Sequence, residues 1–303
     1  MMNTTIHLST ISDLISLLQC GQTHHPLISI VDFGQVGQHV KSETKISTDF
    51  YSIMCKKTCN QQIRYGKNAF DFNEGSLICI SPKQVITIDG SGEANESMKG
   101  WGLFFHPDLI RDSFLGNIIK DYSFFTYEMS EALHLSEKEE SILKETLVNI
   151  QQELTDNFDD FSQHIIVANI DLLLKYCQRF YGRQFITRKH SHSDILTKIE
   201  KELHAYLHSS ELHQNGLPSV SFLADKVCLS PGYLSDLLKK EIGMNAQEFI
   251  HYHIIEEAKN ILRNSNMSIA ELSYTLGFEY PQYFSKLFKK KTGVSPVFYR
   301  SSN

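Results

Sequence analysis

The chain has no Cys-x-x-Cys pair, no apolar run long enough to cross a bilayer, and no acidic residue after Glu279. Its six cysteines (20, 55, 59, 79, 177 and 228) are scattered, which reads as reduced intracellular thiols and not as a disulfide framework. Cys55 and Cys59 stand four apart, yet no histidine or second cysteine pair lies nearby to complete a four-ligand zinc site. Neither a metal nor a cofactor is therefore expected. A membrane span needs about 20 consecutive apolar residues, and a secretory leader needs a basic stretch followed by an apolar one. Both are missing, so the expectation is a cytoplasmic protein with no membrane partner. The missing acids leave Lys286, Lys289, Lys290, Lys291 and Arg300 uncompensated along the last stretch of chain.

What is present is the composition of a globular protein. The 303 residues are 41% hydrophobic and 21% charged, enough for roughly two domains, each with its own core. The formal net charge is −6, so a polyanionic partner has to be met by a local patch. The imbalance points C-terminal: from Val220 onward ten Lys or Arg face eight Asp or Glu, whereas the preceding residues carry 19 against 27.

Four textures follow one another. Residues 1–128 hold short β-type runs, "LISIVDF" (27–33), "DFYSIMCKK" (49–57), "SLICISP" (76–82), "QVITID" (84–89) and "GWGLFFHP" (100–107), separated by Gly, Asn and Asp breakers. Such spacing predicts an antiparallel barrel or sandwich. Over 129–182 the period changes: Ser136-x-x-Glu139 is a capping box opening a helix to about residue 157. A second helix carries Ile166, Ile170, Leu173, Leu174, Cys177 and Phe180 on one face. This helical hairpin has a stripe that is either intramolecular core or a homodimer seam. Residues 183–192, with Arg183, Arg188 and Lys189, read as a linker, solvated or brushing nucleic acid. From 193 to 303 the pattern is helical.

The helical region is clearly punctuated. Ser230-Pro231 is an N-cap followed by Pro at the first helical position. Asn245-x-x-Glu248 and Ser268-x-x-Glu271 are capping boxes, and Gly243, Gly277 and Gly293 stand where helices should stop. It is also duplicated. Val220 and Leu223 match Ile269 and Leu272 at a shift of 49; Pro231, Tyr233, Leu237, Lys239-Lys240 and Gly243 match Pro281, Tyr283, Leu287, Lys289-Lys290 and Gly293 at a shift of 50. Each copy is a short helix, a turn and a second helix with a basic face.

In the later copy Phe284, Leu287 and Phe288 fall at i, i+3 and i+4 and face a core. The opposite face offers Gln282, Ser285, Lys286 and Lys289, with Lys290 beside it. Gln can bond adenine in bidentate fashion, Lys can reach guanine, and the remaining bases can hold phosphates. A single lysine run reads as a solvated helix face; two, each on a helix-turn-helix pattern, read as a pair of double-stranded DNA readers. Between them "AQEFIHYHIIEEAKNILRN" (246–264) predicts a rod of roughly 28 Å, close to the ~34 Å between successive major-groove faces.

Residues 254–300 closely resemble the signature region of the AraC/XylS family of transcription regulators. The matching residues are Ala258-Lys259, Leu262, Ser268-Ile269-x-Glu271-Leu272, Leu276-Gly277-Phe278, Tyr283-Phe284-Ser285-Lys286, Phe288-Lys289-Lys290, Gly293, Ser295-Pro296 and Tyr299-Arg300. The resemblance implies a non-enzymatic, sequence-specific DNA-binding regulator with two helix-turn-helix units. It turns Gln282 and Lys286 toward bases, with Gly232, Ser235 and Asp236 in the first unit; Ser230, Lys239 and Lys240 complete that unit's candidate contacts. Three positions depart from the family pattern. Gly232 and Asp236 replace long or basic side chains, and Ile254 stands where Arg is common, so the second unit is expected to carry most of the affinity.

The front half resembles, more weakly, the cupin-like effector barrel of that family. The fold class expected is thus α+β multidomain: a cupin-like N-terminal antiparallel barrel or sandwich with a helical hairpin, then a C-terminal all-α double helix-turn-helix domain. Tyr51, Trp101, Phe104 and His106 are the candidate contacts for a small-molecule effector, with core packing as the alternative. RNA polymerase is a further candidate partner. Two other readings of the barrel are a non-sensing dimerisation module and a cupin-type metalloenzyme. The enzyme would need clustered ligands, whereas His39 and His106 of the barrel region are isolated from one another, and His251-x-His253 lies on the connecting helix.

Overall fold

The computed structural model describes residues 5–20, 23–36, 44–57, 64–65, 68–69, 75–88, 99–156, 159–187 and 189–302. The chain forms two compact units, Met1–Gln184 and Phe185–Asn303. His39 and Cys59 lie outside the described residues.

The first unit holds strands β1 (Thr5–Leu8), β2 (Ile28–Asp32), β3 (Thr44–Thr48), β4 (Tyr51–Lys57), β5 (Arg64–Tyr65), β6 (Asn68–Ala69), β7 (Ser76–Ile80), β8 (Val85–Ile88), β9 (Lys99–Phe105) and β10 (Leu133–His134). The five apolar runs read from the sequence become β2, β4, β7, β8 and β9. A five-stranded sheet has the order β10-β7-β4-β9-β2 and is antiparallel throughout. β9 reads as an unbroken apolar run because β4 and β2 flank it, and Trp101 through Phe105 are all buried.

Two expectations are corrected here. The sheets do not close into a barrel among the described residues: β10 and β2 end the five-stranded sheet, and β1-β3-β8 forms a separate one. Nor is the pairing wholly antiparallel, since β1 runs parallel to β3, Thr5 opposite Lys45 and Leu8 opposite Thr48. A parallel pair needs a long crossover, supplied here by the stretch that holds β2 and helix α1 (Ile11–Leu18). That helix is held by a Thr10–Asp13 capping box and buries Ile11, Leu14 and Ile15 against Leu8, Phe33, Ile46, Phe50 and Phe104.

Two short helices, α2 (Pro107–Ile110) and α3 (Phe114–Ile118), lead to the hairpin of α4 (Glu137–Thr155) and α5 (Ser162–Thr187). The Ser136–Glu139 capping box forms as expected. On α5 Ile166, Ile170, Leu173, Leu174, Cys177 and Phe180 are all buried within the unit, so this stripe is core and not a free seam. A different stripe stays open: Phe161, Ile165 and Leu172 are 71%, 41% and 44% exposed.

The segment expected as a linker is helical on both sides of residue 188, α5 reaching Thr187 and α6 (Lys189–Leu207) following. Arg183 and Gln184 at its start fasten the structure. Arg183 donates to both carboxylate oxygens of Glu139 at 3.0 and 2.8 Å and to the His134 carbonyl at 2.6 Å. Gln184 accepts from the His134 N–H and donates to the Ala132 carbonyl. Arg183 is therefore committed within the fold.

The second unit continues with α7 (Ser210–Asn215), α8 (Val220–Val227), α9 (Pro231–Ile242), α10 (Ala246–Asn264), α11 (Ile269–Thr275), α12 (Pro281–Thr292) and α13 (Pro296–Ser301). Ser230 caps α9, the Asn245–Glu248 and Ser268–Glu271 boxes open α10 and α11, and Gly243 and Gly293 end α9 and α12 in left-handed conformation. Gly277 has φ +80°, a conformation that side chains strain, and a Cβ there would crowd the Gly216 and Leu212 backbone at 3.2 Å, which favours glycine in this turn between α11 and α12.

Candidate nucleic-acid interface

α12 is oriented by two phenylalanines. Phe284 and Phe288 are fully buried, their rings 5.4 Å from Phe278 and 5.5 Å from Tyr299 respectively, and Leu287 packs partly buried beside them. With that face fixed, helical spacing turns Gln282, Lys286, Lys289 and Lys290 outward; all four are exposed, and Ser285 is half-buried. The face combines an amide with three ammonium groups, and no acid follows on the chain. It suits a polyanion with donor and acceptor edges. His251 on α10 faces the lysine-rich end: burial, then the Lys291 and Lys290 charges, hold its imidazole below the usual range.

α9 is oriented the same way, with Leu234 and Leu238 fully buried at the positions of Phe284 and Phe288. Its outward face is poorer. Gly232, Ser235 and Asp236 are half-buried, Lys239 and Lys240 are exposed, and Ser230 is buried, its hydroxyl accepting the Tyr233 N–H. The matched tyrosines differ most. Tyr233 is 1% exposed with its ring 4.9 Å from that of Phe185, whereas Tyr283 is 60% exposed. Tyr280, at the start of α12, is 48% exposed and meets Tyr283 edge-on at 5.7 Å. The sequence reading missed both exposed tyrosines. The signal available was Tyr280 itself, a tyrosine where neighbouring helices begin with Ser or Asn.

α10 is the expected rod, nineteen residues long, or roughly 28 Å at the helical rise. It packs against both α9 and α12. Ile254, the departure from the family's Arg, is completely buried in its core face.

The effector candidates do not converge. Strand alternation puts Tyr51, paired with Phe105, and Trp101, paired with Cys55, on one sheet face and Phe104, paired with Ser52, on the other. Tyr51 stacks on Phe105 at 5.2 Å, Phe104 packs edge-on against Phe50, and the His106 imidazole accepts the Asp108 N–H that opens α2. A cavity of about 330 Å³ lies elsewhere in this unit, lined by Ile78, Cys79, Ile86, Phe124, Tyr127 and Tyr181 among others. Among the described residues, no three His, Cys, Asp or Glu side chains are placed to hold a metal, and no helix is long and apolar enough to cross a membrane.

Two short-helix, turn, second-helix units on one rod define a tandem helix-turn-helix domain. Residues 223–302 match the family described as "Helix-turn-helix domain". The arabinose operon regulatory protein of Salmonella typhimurium is 37% identical over 82 residues, which are 27% of this chain and 29% of that protein. The uncharacterized HTH-type transcriptional regulator YfiF of Bacillus subtilis is 31% identical over 140 residues, 46% of this chain and 41% of that one. The C-terminal domain of the two-component response regulator yesN from Fusobacterium nucleatum is 30% identical, with a TM-score of 0.29, covering 33% of this chain and 96% of that one. The chain spans from 28% to 52% of the length of the first curated relatives.

Proposed function

We propose that the chain is a cytoplasmic, sequence-specific DNA-binding transcription regulator that works without catalysis. The observation that carries this is the outward face of α12, where Gln282, Lys286, Lys289 and Lys290 stand opposite buried Phe284 and Phe288 in a duplicated helix-turn-helix. In this reading α12 enters one major groove, with Gln282 and Lys286 on bases and Lys289 and Lys290 on phosphates. α9 reaches the adjacent groove through Gly232, Ser235, Asp236, Lys239 and Lys240, while Ser230, buried as the cap, sets where that helix starts. α12 supplies most of the affinity, since the face of α9 is half-buried and holds an acid.

The first unit would regulate. Its 330 Å³ cavity is of a size suited to a small effector, with aromatic sides from Phe124, Tyr127 and Tyr181 and polar ones from Gln84 and Glu128. That position replaces Tyr51, Trp101, Phe104 and His106 in this reading. Residues 129–182 would dimerise the protein, and the open Ile165 and Leu172 on α5, seven apart, with Phe161 in the turn before them, support a helix–helix seam there. Contact with RNA polymerase belongs to the same reading.

The test is selection of bound sequences from random duplex DNA by the whole protein at about 150 mM salt, a concentration at which non-specific binding is weak. Two informative blocks roughly 10 base pairs apart are expected. At the selected site Lys286→Ala and Gln282→Ala should each cost about 1–3 kcal/mol and relax the preference at one position. Unchanged cognate affinity in Lys286→Ala sinks the assignment of α12 as reader.

A further inference from the structure

We infer that Tyr280 and Tyr283 form an aromatic edge of the second reading helix that packs on the methyl group of a thymine, so that this unit selects thymine beside the bases met by Gln282 and Lys286. The inference deepens the DNA-binding reading and rests on it.

The first observation is a local rule broken at one place. Helices α7 to α13 are seven, and Ser209, Ser219, Ser230, Asn245, Ser268 and Ser295 cap six of them, each accepting a backbone N–H of the first turn. α12 alone opens on a residue without a side-chain cap, Tyr280. A capping hydroxyl or amide stabilises a helix start, and tyrosine at that position forgoes the gain. Departures of this kind concentrate where a side chain is kept for contact with a ligand.

The second is accessibility. Tyr280 and Tyr283 keep 48% and 60% of their surface open while touching each other edge-on. Large aromatic bodies held against one another lose little freedom on binding and present apolar surface with a polar tip. Tyr283 lies one turn before Lys286, so the edge borders the reading face and does not point away from it.

The third is the internal repeat, which acts as a control. Fifty residues earlier Ser230 caps α9 and is buried, and Tyr233 is covered by Phe185. The same register thus gives a capped, closed start in the first copy and an uncapped, open aromatic start in the second. Core packing therefore does not explain the exposed pair. In the major groove the apolar feature that distinguishes one base is the thymine methyl, which aromatic and other apolar side chains contact.

Whole protein is bound to its selected duplex, and each thymine in turn is replaced by deoxyuridine, which removes only the methyl. At one or two positions the replacement is expected to weaken wild-type binding about fourfold, the factor for one buried methylene. Tyr283→Ala should bind more weakly and lose that sensitivity. Tyr280→Ser supplies an independent readout: by restoring a cap it should raise the thermal midpoint while reducing thymine discrimination. If Tyr280→Ser raises the midpoint and leaves the thymine preference intact, or if Tyr283→Ala keeps its sensitivity to deoxyuridine, the proposal is overturned and the edge faces a protein partner. Failure of the wild-type chain to select any duplex overturns the DNA-binding reading, and this inference with it.

Discussion

Replacing Tyr233 by alanine, and separately Tyr283, makes one chemical change at matched positions of the repeat. A buried tyrosine removes on the order of 200 Å² from water, which at about 25 cal/mol per Å² sets an upper bound near 5 kcal/mol. Large-to-small aromatic substitutions in cores cost about 3–5 kcal/mol once the residual cavity is included. Tyr233 is 1% exposed under Phe185 and should fall in that range. Tyr283 is 60% exposed, and a surface substitution stays within about 0.5 kcal/mol. A gap of about 3 kcal/mol should therefore separate the two variants, a difference on the order of 10 °C in the midpoint of a domain this size. Urea denaturation of both variants reads it directly. Phe185→Ala should reproduce part of the Tyr233 loss, and the double variant should lose less than the two single losses together. Equal destabilisation by Tyr233→Ala and Tyr283→Ala would refute the claim that the copies present unequal faces.

Lys290→Ala should weaken binding to all sequences alike and lower the salt slope by about 1, read from affinities at several salt concentrations. Acid should destabilise the second unit. Burial and the nearby Lys291 and Lys290 outweigh Glu248 in depressing His251, and burial outweighs Glu200 and Glu256 in depressing His253. Both histidines thus contribute stability above the unfolded value of about 6.5 and lose it as pH falls through their lower folded values. The neutral His251 Nε2 accepts from Gln247 at 2.9 Å, a bond that protonation removes. Urea midpoints at falling pH should decline through this window, and His251→Gln should flatten the decline; a rising midpoint contradicts the argument. Leu172→Glu on the open face of α5 should shift sedimentation from dimer to monomer with little change in unfolding midpoint.

The helical punctuation of the second unit was legible because caps and glycine stops act over three or four residues. Ser230, Asn245, Ser268, Gly243 and Gly293 each do what their local sequence demands. The residues that face outward on α12 were legible too, since Phe284 and Phe288 fix the helix rotation. What was not legible depends on distant chain. The letters around Tyr233 and Tyr283 differ at the cap, Ser230 against Tyr280, but the covering of Tyr233 comes from Phe185, far upstream of the helix it covers. The parallel pairing of β1 with β3 likewise depends on a crossover. The low apolar density of 183–192 suggested a loop, but Arg183 and Gln184 have partners about fifty residues away, with which they secure a helix. The four effector candidates were chosen as aromatic or polar, and strand alternation then distributed them over opposite faces.

One hydrophobic cluster runs without interruption from Leu223 and Leu234, through Ile250, Ile254 and Leu262 of α10, to Leu272 and Phe288. The two copies are therefore not independent modules joined by a strut. Sharing one core, they should unfold in a single transition, and a defect beneath either one should be felt by both. A fragment ending after α10 would expose the apolar side of its own rod. The copy with the poorer outward face thus supplies half of the interior on which the other one rests.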